Sequence, residues 1–365
     1  MHIVFNPPLN EENKYIHIMV SPLNSAGYQV HELDTILSSA DHFKRIRLVH
    51  LNWFENLDDR SQTKAIKSFF RKLTVLTAIR LAGKKLVWTQ HNRMSHEKKT
   101  GKLSQTLTQL LVKWADAIII HSEISRTMLT QQYPKSASKI HYIPHPDFIG
   151  SYGPVINKPK PSNQALQLLF LGAVKPYKNI ELLIETVGKF GDEVELTIAG
   201  KPNTKDYYHQ LSALAKPYPN VRLKLQFIPD EQLPKLMGQA DLLVLPYDLV
   251  SSLNSGTVIL AFSYKKTVIC PEIGTLVDMK MANESFFSYR YQSEQDHQEQ
   301  LHLMVKKAIK TKAEQPNRLE EMGDKMYHYL KDHQSKELVG KHLLQVYKEL
   351  LNTPQNNREI PFANG

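Results

Sequence analysis

The stretch DLLVLPYDLVSSLNSGTVILAFSYKKTVICP, residues 241–271, decides the fold. Its apolar run 241–245 predicts a strand that stops at Pro246, and a polar loop rich in Ser and Asn follows. Thr257 begins an apolar helix, and residues 267–270 predict the next strand. In an open α/β sheet this order places the loop at the carboxyl ends of the strands, where ligands bind. Backbone N–H groups at the helix start would attract a phosphate.

Short apolar strands alternate with helices along most of the chain. This alternation predicts parallel sheets covered on both faces, so the expected fold class is α/β with two doubly wound domains. The predicted strands are 2–5, 28–32, 47–51, 86–89, 117–121, 140–143, 166–171, 193–199, 221–227, 241–245 and 267–270. The predicted helices are 13–27, 63–82, 102–115, 124–131, 179–190, 206–215, 230–239, the one starting at 257, 298–313, 318–331 and 335–351.

A segment rich in Pro and Gly, residues 144–165, interrupts the alternation and is the best linker candidate. It predicts a first domain over 1–150 and a second over 151–335. A C-terminal helix, about 336–352, can pack back on the first domain, and 353–365 is expected to be a flexible tail.

Composition indicates the number of domains and the cellular location that we expect for the protein. A chain of 365 residues suggests two domains, and a single cysteine, Cys270, excludes a disulfide framework. No secretory signal and no apolar run long enough to span a bilayer is found. We therefore expect a soluble, cytoplasmic protein, with peripheral association at the inner face of the plasma membrane as a further expectation.

The formal net charge of +10 admits three partner classes: nucleic acid, an anionic membrane surface or an anionic small substrate. Residues 61–96 contain no Asp or Glu but eight Lys and Arg. At helical spacing Phe69, Leu73, Leu76 and Ile79 form an apolar stripe flanked by these charges. The stripe is expected to pack on the sheet, and the charges between Lys64 and Lys85 to meet anionic lipid. No nucleic-acid motif is present, so nucleic acid is not an expected partner.

Several short segments carry a family resemblance. In the second half they are GAVKPYKN (172–179), IAGKP (198–202), FIPD (227–230) and the loop 246–256 with TVI (267–269). In the first half NKY (13–15), HLNW (50–53) and WTQHN (88–92) with HE (96–97) are similar to an "NPY" helix start, an "H.HW" strand end and a "WT.HN...HE" segment. Together they resemble GT-B glycosyltransferases, especially the family-four group of bacterial polysaccharide enzymes.

The resemblance implies two Rossmann-like domains facing a cleft. It implies transfer of a sugar from a UDP- or GDP-linked donor to a saccharide, with a lipid-linked saccharide as the expected acceptor, in surface polysaccharide synthesis. The nucleotide-sugar is a substrate, so no cofactor is expected. No Asp-x-Asp triplet occurs, and the His121 and His141 spacings lack zinc partners, so no metal is expected either. The alternatives are a sugar-nucleotide epimerase of the same fold and a basic protein that binds nucleic acid without catalysis.

The expected donor site is basic and rich in hydrogen-bond donors. Lys175 and Lys178 would stabilise the leaving diphosphate. Alternatively, they are solvated lysines, Ser255 is a plain helix cap, and Tyr247 only packs on the loop. The candidate donor-binding residues are Gly172, Lys175, Lys178, Gly200, Lys201, Ile228, Tyr247, Asn254, Ser255, Gly256 and Thr257.

The acceptor hydroxyl needs a base, and histidines follow several strands of the first domain. His91 is the first candidate and Glu97 the second, because either can take a proton near neutral pH. The alternative for any of these histidines is a hydrogen-bonded structural role. The other acceptor-side candidates are His50, Asn52, Trp53, Asn92 and His145.

One departure from the family concerns stereochemistry. Retaining members carry two glutamates around the second-domain loop, and Ser252 and Leu260 stand at those positions here. An inverting reaction is therefore slightly favoured.

Overall fold

A computed structural model describes residues 1–10, 13–58, 61–92, 101–156 and 165–352. They fall into two compact units, Met1–Pro144 with Lys336–Gly365 and His145–Ser335. The sequence instead divides the domains between residues 150 and 151. The predicted tail, 353–365, lies outside the described residues, as does Glu97.

The described chain forms strands and helices in regular alternation. The strands are β1 (His2–Asn6), β2 (Gln29–His31), β3 (Ile46–Asn52), β4 (Lys85–Gln90), β5 (Ala117–Ile120), β6 (Ile140–Tyr142), β7 (Leu166–Leu171), β8 (Val194–Ala199), β9 (Val221–Lys224), β10 (Leu242–Val244), β11 (Thr267–Pro271) and β12 (Phe287–Tyr289). The helices are α1 (Lys14–Ser25), α2 (Ala40–Arg45), α3 (Gln62–Leu81), α4 (Gly101–Trp114), α5 (Glu123–Gln132), α6 (Ile180–Gly188), α7 (Lys205–Ala215), α8 (Leu233–Gln239), α9 (Gly256–Ser263), α10 (Gly274–Asp278), α11 (Glu294–Glu314), α12 (Arg318–His333) and α13 (Lys336–Asn352).

Each unit contains one six-stranded parallel sheet, in the order β2-β1-β3-β4-β5-β6 in the first and β12-β11-β10-β7-β8-β9 in the second. The central strands read as continuous apolar runs because both of their faces are covered. The whole of β5, for example, is inaccessible to solvent. The predicted α/β fold class with two doubly wound sheets is confirmed.

The strand order has one reversal in each sheet. In the first unit the chain runs from β1 to β2 and then returns to the other side of β1 with β3. In the second it runs from β7 through β9 and returns to the other side of β7 with β10. Loops leave in opposite directions at such a point and open a crevice at the carboxyl ends of the strands. The candidate sites are therefore expected after β1 and β3, and after β7 and β10.

The C-terminal helix α13 packs on α1 within the first unit. Gly340 allows this close approach, because a Cβ there would lie 2.9 Å from the Pro22 ring.

Some elements differ from the sequence predictions. The helix α11 begins four residues earlier than expected, because the Ser293 hydroxyl accepts a hydrogen bond from the Asp296 N–H and caps it. Strand β9 ends at Lys224 rather than at residue 227, and Phe227 is exposed. Strand β12 and the short helices α2 and α10 are not predicted by the sequence pattern, because they are too short to show a period.

The basic helix α3 buries part of its predicted stripe. Leu76 and Ile79 are buried, and Phe69 packs against the core while partly exposed. Ile66 and Phe70 lie on another face and remain exposed. No helix in the described ranges is both long and apolar enough to cross a bilayer.

Candidate functional site

The crevice of the second unit begins where β7 and β10 end. Gly172 follows β7, and Pro246 and Tyr247 follow β10 by two and three residues. The Asn179 side chain joins the two sides, because its Nδ2 donates a hydrogen bond of 2.9 Å to the Pro246 carbonyl. The loops after these strands are therefore held together at one point of the sheet edge.

Two glycines allow the backbones that follow β7 and β8 to approach each other closely at this edge. Gly200 follows β8 with a φ of +151°, and a Cβ there would lie 1.8 Å from the Gly172 carbonyl oxygen. Gly172 itself has a φ of +131°. A Cβ on it would lie 3.2 Å from Lys178 Nζ and 3.5 Å from Thr257 Oγ1. Glycine at 172 thus leaves open a small space on which an ammonium and a hydroxyl converge.

Lys178 brings a positive charge into this space. Its Nζ lies 5.8 Å from the centre of the Phe170 ring and 5.6 Å from that of Tyr247. Burial, reinforced by Lys175, lowers the pKa of the Lys178 ammonium to about 8. Within the described residues no carboxylate forms an ion pair with it. A poorly solvated cation that lacks a counter-charge is a candidate anion-binding group.

The amino terminus of α9 adds backbone donors beside Lys178. Ser255 caps the helix, because its Oγ accepts from the Val258 N–H at 3.2 Å. The same hydroxyl donates to Tyr247 Oη at 3.0 Å, and the Ser255 N–H donates to Thr275 Oγ1 at 3.0 Å. The Ser255 side chain is thus engaged in the loop itself. The first residues of α9, Gly256 and Thr257, remain partly exposed, so their N–H groups are candidate donors to a ligand.

His145 lies beside this helix start and not among the acceptor-side residues with which the sequence analysis grouped it. It belongs to the second unit. Its Nε2 lies 3.3 Å from where a Cβ of Gly256 would stand, and its Nδ1 donates to the Pro146 carbonyl at 2.9 Å. The structure therefore places this histidine with the donor-site candidates.

The remaining donor-site candidates occupy the surroundings of the crevice. Lys175 and Lys201 are exposed, and the Lys201 carbonyl accepts from the Val174 N–H at 3.0 Å, which ties the loops after β7 and β8 together. Asn254 is partly buried just before the α9 cap, and Ile228 is partly buried between β9 and α8.

Sequence reasoning missed the aromatic residues that hold the loop 247–250. Tyr291 Oη accepts from the Leu249 N–H at 2.8 Å and donates to the Tyr247 carbonyl at 3.3 Å. The Tyr291 ring stacks on His297 at 3.9 Å, and burial lowers the pKa of His297 to about 4. These residues lie more than 40 positions along the chain from the loop, so no local motif announces them.

The crevice of the first unit contains a second group of candidates. Asn52 ends β3, Trp53 follows it, and His91 follows β4. His91 Nε2 lies 2.9 Å from Asn52 Oδ1, and the His91 ring stacks on Trp53 at 4.0 Å. Tyr15 of α1 meets the His91 ring edge-on at 5.2 Å. The structure thus brings together Asn52, Trp53 and His91 with Tyr15 of the NKY segment.

Two other histidines lie beneath this group. His50 is inaccessible to solvent, with Nδ1 2.7 Å from Tyr347 Oη and Nε2 2.6 Å from Thr89 Oγ1. Burial lowers the pKa of His50 to about 3 and that of His121 to about 4. Both are therefore neutral at pH 7. His50 was predicted on the acceptor side, but it is fully buried and inaccessible to a substrate, so it supports the site only through its hydrogen bonds. Asn92 is partly buried next to His91.

The described residues contain no group of three or more His, Cys, Asp or Glu side chains that could hold a metal ion. Two surface depressions of about 350 and 560 Å³ lie at the other end of the second sheet, around Asp192 and Ala165. Each is lined by two carboxylates and by one cation that already forms an ion pair, Arg222 with Glu195 and Lys312 with Asp241, so neither suits a diphosphate.

Part of the chain matches a known family model, and one curated relative is similar to it. Residues 155–326 match the family model described as "Glycosyl transferases group 1". Over 229 residues the chain is 24% identical to a GDP-mannose:glycolipid 4-beta-D-mannosyltransferase of Xanthomonas campestris pv. campestris, and the match covers 62% of each protein. The chain thus spans less than two thirds of that relative.

Solved structures share the fold over nearly the whole chain. Anabaena Alr3699/HepE in complex with UDP-glucose superposes with a TM-score of 0.69 at 14% identity, covering 96% of this chain and 100% of the other. Sucrose-phosphate synthase from Thermosynechococcus elongatus gives a TM-score of 0.71 at 13% identity, covering 96% and 99%. The resemblance expected from the sequence is confirmed by the family match and by the fold.

Proposed function

We propose that this chain, whose residues 155–326 match the family model of glycosyl transferases group 1, moves a sugar from a UDP- or GDP-linked donor to a saccharide acceptor. The observation that carries the proposal is the ammonium of Lys178. It converges with Thr257 and the start of α9 on the space that Gly172 leaves open. These groups suit an anion, and the donor's diphosphate is the anion that the reaction releases.

The proposed reaction needs groups that stabilise the negative charge of the leaving diphosphate and a base that takes the proton of the acceptor hydroxyl. The acceptor oxygen forms a bond to the anomeric carbon while the bond from that carbon to the diphosphate oxygen breaks, and the electron pair leaves with the diphosphate. Lys178, the more exposed Lys175 and the backbone N–H groups of Gly256 and Thr257 would stabilise that charge. His91 would take the proton of the acceptor hydroxyl.

The donor and acceptor classes follow from two relatives. The Xanthomonas relative is named for GDP-mannose and a glycolipid, and the Anabaena structure contains UDP-glucose. We therefore propose a UDP- or GDP-sugar donor and a lipid-linked saccharide acceptor of surface polysaccharide synthesis.

A lipid-linked acceptor suits the exposed face of α3, which we propose as a contact with anionic lipid. Ile66 is 41% and Phe70 59% exposed, and they lie four residues apart on one side of the helix. Lys64 and Lys67 beside them are exposed cations. Apolar side chains bordered by lysines match the boundary between acyl chains and anionic headgroups.

Nucleotide binding tests the proposal directly. Thermal unfolding is measured with UDP, GDP, ADP and their sugar conjugates, and one nucleotide family should raise the unfolding temperature. Ligand at about 100 times its Kd stabilises a protein by about 2.7 kcal/mol. The Lys178→Met variant should lose this shift, whereas Lys216→Met, which removes an exposed lysine directly after α7 and outside the candidate site, should keep it. If no nucleotide shifts the wild-type protein, the donor site is wrongly assigned.

A further inference from the structure

Tyr291 binds the loop that follows β10 through its hydroxyl group. The Leu249 N–H donates a hydrogen bond to Tyr291 Oη at 2.8 Å. The single proton of that hydroxyl faces two acceptors in the same loop, the Tyr247 carbonyl oxygen at 3.3 Å and Asp248 Oδ1 at 3.4 Å. These three partners are consecutive residues, so one hydroxyl group fixes the backbone of this part of the loop.

The Tyr291 ring is itself held by a helix and a strand. It stacks on the His297 ring, with 3.9 Å between the ring centres and 4° between the ring planes. His297 belongs to the first turn of α11, is only 2% exposed, and has its Nε2 2.9 Å from Tyr289 Oη of β12. Because burial lowers the pKa of His297 to about 4, its ring is neutral at pH 7. The position of the Tyr291 hydroxyl is therefore set outside the loop.

The loop presents Tyr247 to the donor site. Tyr247 is 4% exposed, and its Oη accepts a hydrogen bond from Ser255 Oγ, the cap of α9, at 3.0 Å. The centre of its ring lies 5.6 Å from Lys178 Nζ. Tyr247 thus lies against both parts of the proposed diphosphate site, the ammonium and the helix start. A movement of its backbone would disturb both.

We infer that Tyr291 is a positioning residue of the donor site. Its hydroxyl holds the backbone of Tyr247, and Tyr247 in turn borders Lys178 and steadies the start of α9. Donors that are already held in place do not have to be ordered when a diphosphate binds, so binding is tighter. The inference rests on the proposed function, in which this crevice binds the nucleotide, and it assigns no contact with the ligand to Tyr291 itself.

The protonation of Lys178 reports whether Tyr247 is in place. Burial is the main cause that lowers the pKa of this ammonium to about 8, and the nearby charge of Lys175 adds to it. If Tyr247 moves away, water reaches the ammonium, and its pKa rises toward the ordinary 10.5.

Few other groups around Lys178 titrate in the same range. The elements β7, β10 and α9 contribute no titratable side chain. The segments around them carry the titratable residues His145, Lys175, Tyr177, Glu181, Lys201, Tyr247 and Asp248. Above pH 8 carboxylates stay charged and imidazoles stay neutral, and burial raises the pKa of both tyrosines. The other two lysines are exposed, so Lys178 is the lysine that responds to the position of Tyr247.

Tyr291→Phe tests the inference, because it keeps the stacked ring and removes only the hydroxyl group. The nucleotide is UDP or GDP, whichever stabilises the wild-type protein, and its Kd is measured by calorimetry between pH 7.5 and 9.5. We expect the Kd at pH 7.5 to rise about tenfold. The Kd should then increase less with pH than in the wild type, because Lys178 stays charged to higher pH.

Tyr264→Phe is the matched control for the loss of a tyrosine hydroxyl. Tyr264 lies at the other end of α9, where its Oη donates to the Gly153 carbonyl at 3.0 Å. The variant should have the wild-type Kd and the wild-type pH dependence.

The titration of Lys178 can also be followed without nucleotide. In protein labelled with ¹³C at the lysine side chains, Lys178 should titrate near pH 8 in the wild type and in Tyr264→Phe. In Tyr291→Phe it should titrate higher by about 1 pH unit or more. A Tyr291→Phe protein that unfolds more easily but keeps the wild-type Kd and titration would overturn the inference, because the hydroxyl then has only a structural role. If neither UDP nor GDP binds the wild-type protein, the proposed function fails, and the titration still decides whether Tyr291 holds Tyr247 against Lys178.

Discussion

The charge of Lys178 costs stability in the absence of a ligand. Its pKa is lowered from 10.5 to about 8 because burial disfavours the ammonium. The unfolded chain therefore binds more protons between pH 8 and 10.5, so the penalty is complete below pH 8 and disappears above 10.5. We expect Lys178→Met to raise the free energy of unfolding at pH 7 by about 1–3 kcal/mol. Chemical denaturation of the nucleotide-free protein measures this, with Lys201→Met as the neutral control. A less stable Lys178→Met protein would contradict the expectation.

The same titration should appear in ligand binding. A diphosphate binds the protonated lysine, so nucleotide affinity should fall as pH rises above about 8. We expect a loss of about tenfold or more between pH 7.5 and 9.5, measured by calorimetry. Lys178→Arg, which stays charged throughout, should show a flatter profile if it binds at all. Equal pH dependence in the wild type and in Lys178→Met would show that another group titrates.

Individual residues were predictable where a strand end and a family motif coincide. Lys178, Thr257 and His91 follow strands that are recognisable as apolar runs, so their positions at the sheet edge follow from the order of the elements. The same logic grouped His145 with the acceptor-side residues. It follows a strand of the first sheet in sequence, but the chain enters the second unit at that residue.

At the scale of the element, α3 should contact lipid through its exposed face. Replacing Ile66 and Phe70 together by Ser removes two apolar side chains, each worth about 1.5–3 kcal/mol when fully buried. We expect binding to anionic vesicles to weaken at least tenfold and wild-type binding to fall with salt, as measured by flotation. The variant keeps the buried residues Leu76 and Ile79, so it should remain folded.

The matched control for this surface is on another helix. Leu303 of α11 is 50% exposed, and Leu303→Ser should leave vesicle binding unchanged. If it weakens binding as much as the α3 variant does, general surface hydrophobicity explains the binding. If the wild-type protein does not bind anionic vesicles at low salt, α3 has no role in membrane binding.

Elements were predictable in proportion to their length and pattern. Helices such as α3 and α13 have enough turns to show the helical period of their apolar residues. A three-residue strand such as β12 shows no such period and forms because it pairs with β11. That information is tertiary and is absent from any local window. The supports of the donor loop, Thr275 and Tyr291, were missed for the same reason.

At the scale of the whole molecule, the sequence predicts the class of fold, and its family resemblance also bears on the stereochemical course of the reaction. The two positions where retaining relatives carry glutamates are Ser252, partly buried in the loop, and Leu260, buried inside α9. Neither side chain can act as a carboxylate. We therefore expect direct displacement by the acceptor oxygen, with inversion at the anomeric carbon.

Product analysis tests this expectation once the donor is known. The anomeric configuration of the new linkage, read by NMR, should be opposite to that of the donor, and nucleotide release should depend on added acceptor. A product with the donor's configuration would require a retaining course without the glutamate pair. Epimerase chemistry on the same fold would give a different result. Nucleotide would be released together with a changed free sugar, and the release would not depend on acceptor. An epimerase needs the diphosphate site around Lys178 but no base for an acceptor hydroxyl.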